Sequence, residues 1–287
     1  MTRETTGATM RLFALTTLTM LAFAANSLLN RAALLGEGMD PASFALIRVA
    51  AGAVMLMVLL RLRAPVEIRR PQPLAVLGLV AYLLGFSYAY TSMDAGVGAL
   101  ILFAGVQITM FSGALRAGEN LPLRRWIGAL AALAGLVFLL WPRETVELSG
   151  PGFALMSLAA VGWGIYSLIG RNVQDPLEAT AWNFLYSFLM VALFYWGASP
   201  VVIPVGMPLG LALISGAITS GLGYALWYAV LPKLGAAPGA LAQLSVPVLA
   251  LGMGALFLGE QIASHTVLAA MIVLTGIAIG SVRFKKI

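Results

Sequence analysis

The chain has 287 residues, 61% of them hydrophobic and only 10% charged, with a formal net charge of +6 and no cysteine. A soluble domain carries about 25% charged residues, so this composition excludes a water-soluble fold and points to an integral membrane protein. Without cysteine there are no disulfides or thiolate metal sites; one histidine cannot make an imidazole cluster; and basic residues in short groups between apolar runs read as a topology signal rather than a nucleic-acid patch.

A helix needs about 20 residues to cross the roughly 30 Å hydrocarbon layer. Cuts at charged, Pro and Gly breaks leave ten such runs, at 11–30, 44–60, 74–93, 96–115, 126–141, 152–170, 181–198, 208–230, 238–258 and 265–282. Stretches such as LALISGAITSGLGYALWYAVL do not alternate polar with apolar residues, which excludes a lipid-facing barrel. The expected fold is all-α, with ten transmembrane helices and no cofactor.

The first run follows Arg3 and Arg11, as a signal peptide would, but Asn26 and Asn30 interrupt it and argue against cleavage. Those amides share a face with Phe23 and Ser27. They must meet protein or water, either as lining of a cavity or as hydrogen-bond glue between helices. The second run holds Arg48, the only base well inside a helix, at a cost of at least about 2.5 kcal/mol near a bilayer centre. Two roles fit it: snorkelling or structural pairing near the outer surface, or holding a substrate carboxylate.

Tyr82, Phe86 and Tyr90 form one stripe on the third run, and Gln107 is the long amide of the fourth. The sixth run offers Trp163 and Tyr166, the seventh Trp182, Asn183 and Tyr186, and the eighth Tyr224, Trp227 and Tyr228. Aromatics at helix ends belong to the interfacial belt, which suits Trp126, Trp141 and Trp196. Mid-helix aromatics are either plain core or, if they converge, an amphipathic pocket. The ninth run carries Gln243, with Pro238 and Pro247 interrupting its backbone hydrogen bonds. His265 opens the tenth run and reads as a solvated interfacial side chain. GIAIG at 276–280 in that run is a weak signal for a dimer, so a monomer or weak homodimer is expected.

With the N-terminus inside, 14 of the 17 Lys and Arg fall in inside segments and 2, Arg31 and Arg143, in outside loops, with Arg48 in a helix. This bias predicts an N-in, C-in topology.

One phrase is written twice. GALRAGENLPLRRWIGALAALAG from Gly113 and GALFLGEQIASHTVLAAMIVLTG from Gly254 stand 141 residues apart. FAANSLLNR ending at Arg31 likewise matches WGIYSLIGR ending at Arg171. The chain therefore divides into two five-helix repeats, 1–145 and 146–287. Five is odd, so the second repeat enters the membrane inverted. Glu119 then lies inside among Arg116, Arg124 and Arg125, while Glu260 lies outside with no base in its loop. Inverted repeats mark transporters with a central site and alternating access.

The chain resembles the drug/metabolite transporter superfamily, of the kind with tandem EamA-type domains. The resemblance covers essentially the whole chain and rests on Gly118-Glu119 with Gly128 and Gly135, Gly259-Glu260 with Gly276, Arg48 in LIRVAAG and Ser-Val-Pro at 245–247. The chain departs from the pattern at Val106-Gln107, where the family has a proline, and in its seventh run, which has no counterpart to Arg48. The two halves are thus expected to contribute unequally to binding. The resemblance implies an inner-membrane exporter of amino acids or similar small metabolites, near the aromatic-amino-acid exporters. Small multidrug/proton antiporters of the same superfamily rely on a buried glutamate in the first helix. Here Ala25, Asn26 and Ser27 stand there, which implies downhill export or exchange.

The expected substrate contacts are Asn26, Arg48, Tyr82, Gln107, Trp163, Tyr166, Tyr224 and Gln243. The first, third, fourth, sixth, eighth and ninth helices should line the site, with the fifth and tenth outside. A drug or nucleotide-type carrier is the alternative, weakened because Arg48 is the sole candidate cavity base. An intramembrane enzyme is remote, since no mid-helix carboxylate or histidine exists to activate a nucleophile.

Overall fold

A computed structural model of the chain describes residues 3–35, 39–63, 65, 67–116, 122–140, 149–198, 205–234, 239, 242–243 and 245–281. The described residues form helical rods α1 (Arg3–Leu34), α2 (Pro41–Arg63), α3 (Pro73–Ala89), α4 (Ala95–Arg116), α5 (Leu123–Leu140), α6 (Gly150–Gly170), α7 (Pro176–Ala198), α8 (Met207–Leu234), α9 (Ser245–Leu258) and α10 (Ser264–Ser281). Six of them (α1, α2, α4, α6, α7 and α8) are long and apolar enough to cross a membrane. The apolar α3, α9 and α10 are shorter.

The starts of these helices follow from local chemistry. Asp40 accepts from the backbone N–H groups of Ala42 at 3.1 Å and Ser43 at 2.8 Å, capping α2. Ser149 caps α6 by accepting from the Gly152 N–H. Proline occupies the first turn of α3, α6 and α8, where its missing N–H is harmless.

The rods pack as two related sets. α6 lies on α3 and α4; α1 lies on α8 and α9. α2 and α7 face one another, as do α4 and α9, and as do α5 and α10. Glycines set the closest approaches. A side chain at Gly78 would strike the carbonyl of Gly162, and one at Gly162 that of Gly78, so α3 and α6 touch through their backbones. Gly216 fits against the Arg48 carbonyl, and Gly221 against Gly52, where α8 crosses α2. Gly223 packs on Ala22 of α1, whereas Gly252 of α9 faces open space.

In the GIAIG segment of α10, the Gly276 carbonyl and Gly280 meet Gly128 of α5, so these small residues seat α5.

α8 differs from the uniform rod expected over 208–230. Its middle, Ser215–Leu222, is a π-helix, and Pro232 lies near its end. α1 also runs further than 11–30, and the described part of α9 begins at Ser245, after Gln243. Glu119, Trp141, Arg143 and Pro238 lie outside the described residues.

Candidate functional site

The twice-written phrase ends α9. Gly259 reverses the chain at φ 66°, a conformation that glycine adopts without strain. Glu260 then folds back: its N–H donates to the Gly254 carbonyl at 3.2 Å, and Gly254 has no side chain to obstruct the carboxylate. The two Glu260 oxygens accept from the Ala95 N–H at 3.1 and 3.2 Å, capping α4 from a distant part of the chain. Glu260 has no base in its own loop, but α1 brings Arg31 to 3.6 Å. Arg31 also reaches Asp94 at 3.5 Å and donates to the Tyr90 carbonyl at 2.9 Å. One clasp thus ties α1, α3, α4 and the α9–α10 turn. Burial lifts the Glu260 carboxyl above the ordinary value of 4.5; Asp94 adds to this, while the Ala95 N–H and Arg31 oppose it. His265 lines the same outer cleft and is 8% exposed, so the expected solvated histidine is instead buried. The start of α10 packs into the clasp and covers it.

At the other end of α2, Arg63 pairs with Asp175 and Arg69 with Glu178 at 2.9 Å. The hydrogen bond from Arg63 holds the Asp175 carboxyl below its usual range. Tyr186 of α7 donates to the Arg69 carbonyl at 2.6 Å.

Between these ends lies a buried polar-aromatic cluster. Asn26 of α1 donates to the hydroxyls of Tyr82 at 3.1 Å and Tyr224 at 3.5 Å. Its Oδ1 accepts from Ser215 at 2.7 Å, with the Thr219 and Ser220 hydroxyls at 3.1 and 3.3 Å. Tyr224 donates to Tyr82 at 2.9 Å. Arg48 is 0% exposed. Its Nε donates to Ser220 at 2.7 Å, and its Nη2 to Tyr82 at 3.0 Å and Tyr224 at 2.6 Å. Arg48 therefore does not snorkel. The hydroxyls hold its head group inside the bundle, where each bond to a charged donor contributes about 1.5–3 kcal/mol.

The π-helix explains how α8 supplies these groups. In an α-helix, at about 100° per residue, Ser215 and Tyr224 would point to opposite sides, nine residues being two and a half turns. At roughly 4.4 residues per turn the same nine make about two turns, and both side chains face Asn26.

Trp163 of α6 is the aromatic hub. Its ring lies 4.5 Å from Tyr224, 5.1 Å from Tyr82 and 5.4 Å from Phe23, centroid to centroid. Tyr166 stacks at 5.6 Å on Trp163 and 4.9 Å on Tyr228. Trp163 Nε1 donates to Gln243 Oε1 at 3.5 Å. The rings, with Leu102 and Phe103 of α4, close around a void of about 10 Å³, enough for about one water. α5 and α10 contribute nothing to its lining.

Of the eight expected contacts, Asn26, Arg48, Tyr82, Trp163 and Tyr224 form one connected group. Tyr166 and Gln243 join through Trp163. Gln107 is not part of it; it is half-buried on α4, and its Nε2 has no partner. The sequence reading passed over Ser215, Thr219 and Ser220. Their signal was SGAITSG, three hydroxyls in an otherwise apolar run, but no α-helical face unites them with Tyr224. The described residues around the void come from α1, α3, α4, α6 and α8, and none comes from the ninth helix expected there. Among the described residues, no cluster of three or more His, Asp or Glu could hold a metal ion.

Comparison with known proteins adds the lineage. The model of the EamA-like transporter family matches residues 11–141 and again 150–282. An uncharacterized protein of Pseudomonas aeruginosa is 47% identical over 94% of both chains. A probable amino-acid metabolite efflux pump of Salmonella typhimurium is 27% identical, over 67% of this chain and 69% of that one. A solved crystal structure with a TM-score of 0.68 and 23% identity covers 92% of this chain and 97% of the other, and so shares the fold.

Proposed function

The chain belongs to the EamA-like transporter family, and from that premise we propose that it exports amino acids and similar small amphipathic metabolites, aromatic ones included, across the bacterial inner membrane. It works as ten membrane-spanning helices in two inverted halves, 1–145 and 146–287, with both termini inside. The halves rock about a midplane site made by Asn26, Arg48, Tyr82, Trp163, Tyr166, Tyr224 and Gln243. Gln107 would act only in a conformation that turns α4 toward that site.

The observation that carries this reading is where equivalent residues meet. The match of Arg31 to Arg171 pairs Phe23 with Trp163, and the 141-residue offset of the repeated phrase carries Tyr82 to Gly223, the immediate neighbour of Tyr224. Phe23 touches Trp163 at 5.4 Å between ring centroids, and Tyr224 bonds to Tyr82 at 2.9 Å. Residues exchanged by a two-fold can touch only where the axis passes between them. The separate matches of the family model to 11–141 and 150–282 support the same division. The clasp at Arg31 and the pairs at Arg63 and Arg69 lie at opposite ends of α2, in keeping with an outer and an inner gate. The name of the Salmonella relative favours amino-acid metabolites as cargo.

The test is uptake of radiolabelled amino acids into liposomes holding the purified protein, with and without a pH gradient, beside Trp163→Ala. Gradient-independent uptake that the variant loses is expected. Uptake that requires the gradient would overturn the downhill mechanism, and no amino-acid uptake would overturn the cargo class.

A further inference from the structure

The central cluster carries a charge that no described residue balances. Every bond of the Arg48 guanidinium goes to a neutral hydroxyl, and its Nη1 has no partner at all. Among the described residues no carboxylate pairs with it. Its carbon stands 5.1 Å from the ring centroids of Tyr82 and Phe86, both of which line the void. Cation–π attraction softens the burial of a guanidinium but does not replace a counter-ion.

The surrounding polar atoms are unbalanced in the same sense. The Tyr82 and Tyr224 hydroxyls lie 2.9 Å apart and both face the N–H donors of Asn26 and Arg48, so the pair spends one proton on their mutual bond and has the other to offer. Asn26 Oδ1 is filled by hydroxyls, and Gln243 Oε1 takes the Trp163 N–H while Gln243 Nε2 stays unpartnered. The site therefore offers surplus N–H and O–H donors beside a fixed positive charge. For an ammonium group it holds no carboxylate among the described residues; the Asn26 and Gln243 carbonyls are engaged, and the acceptors left over, Ser27 Oγ and Asn30 Oδ1, are neutral.

Resting on the reading of this cluster as the transport site, we propose that its preferred cargo is an aromatic monocarboxylate without a protonated amine. The carboxylate accepts from Arg48 Nη1 and the Tyr82 hydroxyl and supplies the missing counter-charge. The ring lies among Phe23, Phe86 and Trp163. A zwitterionic amino acid brings the same carboxylate but must strip water from an ammonium that finds only neutral acceptors beside a fixed positive charge. A cationic amine meets Arg48 and is repelled. The void of about 10 Å³ admits none of these as it stands, so the cargo enters when the aromatic wall parts.

The probes are 3-phenylpropionate, phenylalanine and 2-phenylethylamine, titrated against the full chain in detergent at neutral pH without chloride. Thermal stabilisation and tryptophan fluorescence report binding. The acid should bind about tenfold or more tighter than phenylalanine, and the amine weakest. Arg48→Gln should erase the acid's advantage, and Arg48→Lys, which keeps the charge, should retain the order. Phenylalanine binding as tightly as the acid, or an acid affinity that neither variant moves, overturns the proposal. Chloride stabilising the native chain as well as the acid does, but not Arg48→Gln, would make this a general anion seat and overturn the aromatic assignment. In liposomes, amino-acid transport that phenylpropionate fails to inhibit sinks the cargo preference and spares the transporter reading. Arg48-dependent acid binding with no transport of any probe supports the seat and sinks the transporter reading instead.

Discussion

The two halves share a frame but not a chemistry. In the first, α2 carries a buried arginine and α3 is a regular helix that presents Tyr82. In the second, α7 has only Phe188 and Leu189 near the place matching Arg48, and α8 departs from α-geometry to offer Ser215, Ser220 and Tyr224. The charge of one half is solvated by the hydroxyls of the other. Symmetry fixes where the site lies, and the departures from symmetry decide what it can hold.

Substitutions that treat the halves differently test this. The largest effect is expected at Gly216, which fits against the Arg48 carbonyl. Gly216→Leu should cost about 3 kcal/mol by overpacking the α2–α8 crossing, read as a fall in the thermal midpoint in detergent. Leu74 of α3, 66% exposed, gives the contrast in the other half. Leu74→Ala should stay within about 0.5 kcal/mol. Equal costs at the two positions would remove the asymmetry.

Next comes Asn26. Asn26→Ala strands the hydroxyls of α8 and should cost about 2 kcal/mol in the same assay. Asn26→Asp puts a carboxylate among the hydroxyls that hold Arg48. It should keep the midpoint near native while lowering phenylpropionate affinity about tenfold or more by supplying the counter-ion internally. Undiminished affinity would mean that the charge of Arg48 is balanced elsewhere.

The smallest effect belongs to the outer clasp. The Glu260 pKa is raised in the closed form because burial outweighs the loose 3.6 Å approach of Arg31. Closure is then favoured at low pH and loses that contribution as pH rises through the raised value. Asp94, Arg31 and His265 face the same group. The bias is on the order of 0.5 kcal/mol, since solvent still reaches 12% of the Glu260 side chain and screens the carboxyl. The chain contains no cysteine, so Ser27→Cys gives a single label site in the void wall. Labelling from outside should be faster at pH 8 than at pH 5, and Glu260→Gln should flatten the difference. Faster labelling at pH 5 would reverse the assigned sign.

Much of the frame was legible in the sequence because each helix is written as an apolar run with punctuation. Gly-Glu was visible as a repeated phrase, but its work as a helix stop and distant cap depends on Ala95 and Arg31, which no local pattern connects to Glu260. Asn26, Tyr82, Trp163 and Tyr224 were legible as costly or bulky groups in mid-run. Arg48 was ambiguous, since its distance from the helix end allows snorkelling and only the hydroxyls of α8 decide otherwise. Ser215 escaped because at about 3.6 residues per turn it falls opposite Tyr224 and this stretch winds more slowly, whereas Ser220, four residues before Tyr224, shares its face even on a regular helix. Gln107 illustrates the opposite error: a long amide in an apolar run need not belong to the site.

The slow winding of α8 has a kinetic side. A stretch with surplus residues per turn is a reservoir of rotation. If Ser215–Leu222 tightened to α-geometry, Tyr224 would swing about half a turn away from Ser215. Asn26 and Arg48 would lose their shared partners together, with neither half tilting. The bundle would thus hold a screw beside the proposed rocking motion, and about half a turn of that screw takes the proposed seat apart.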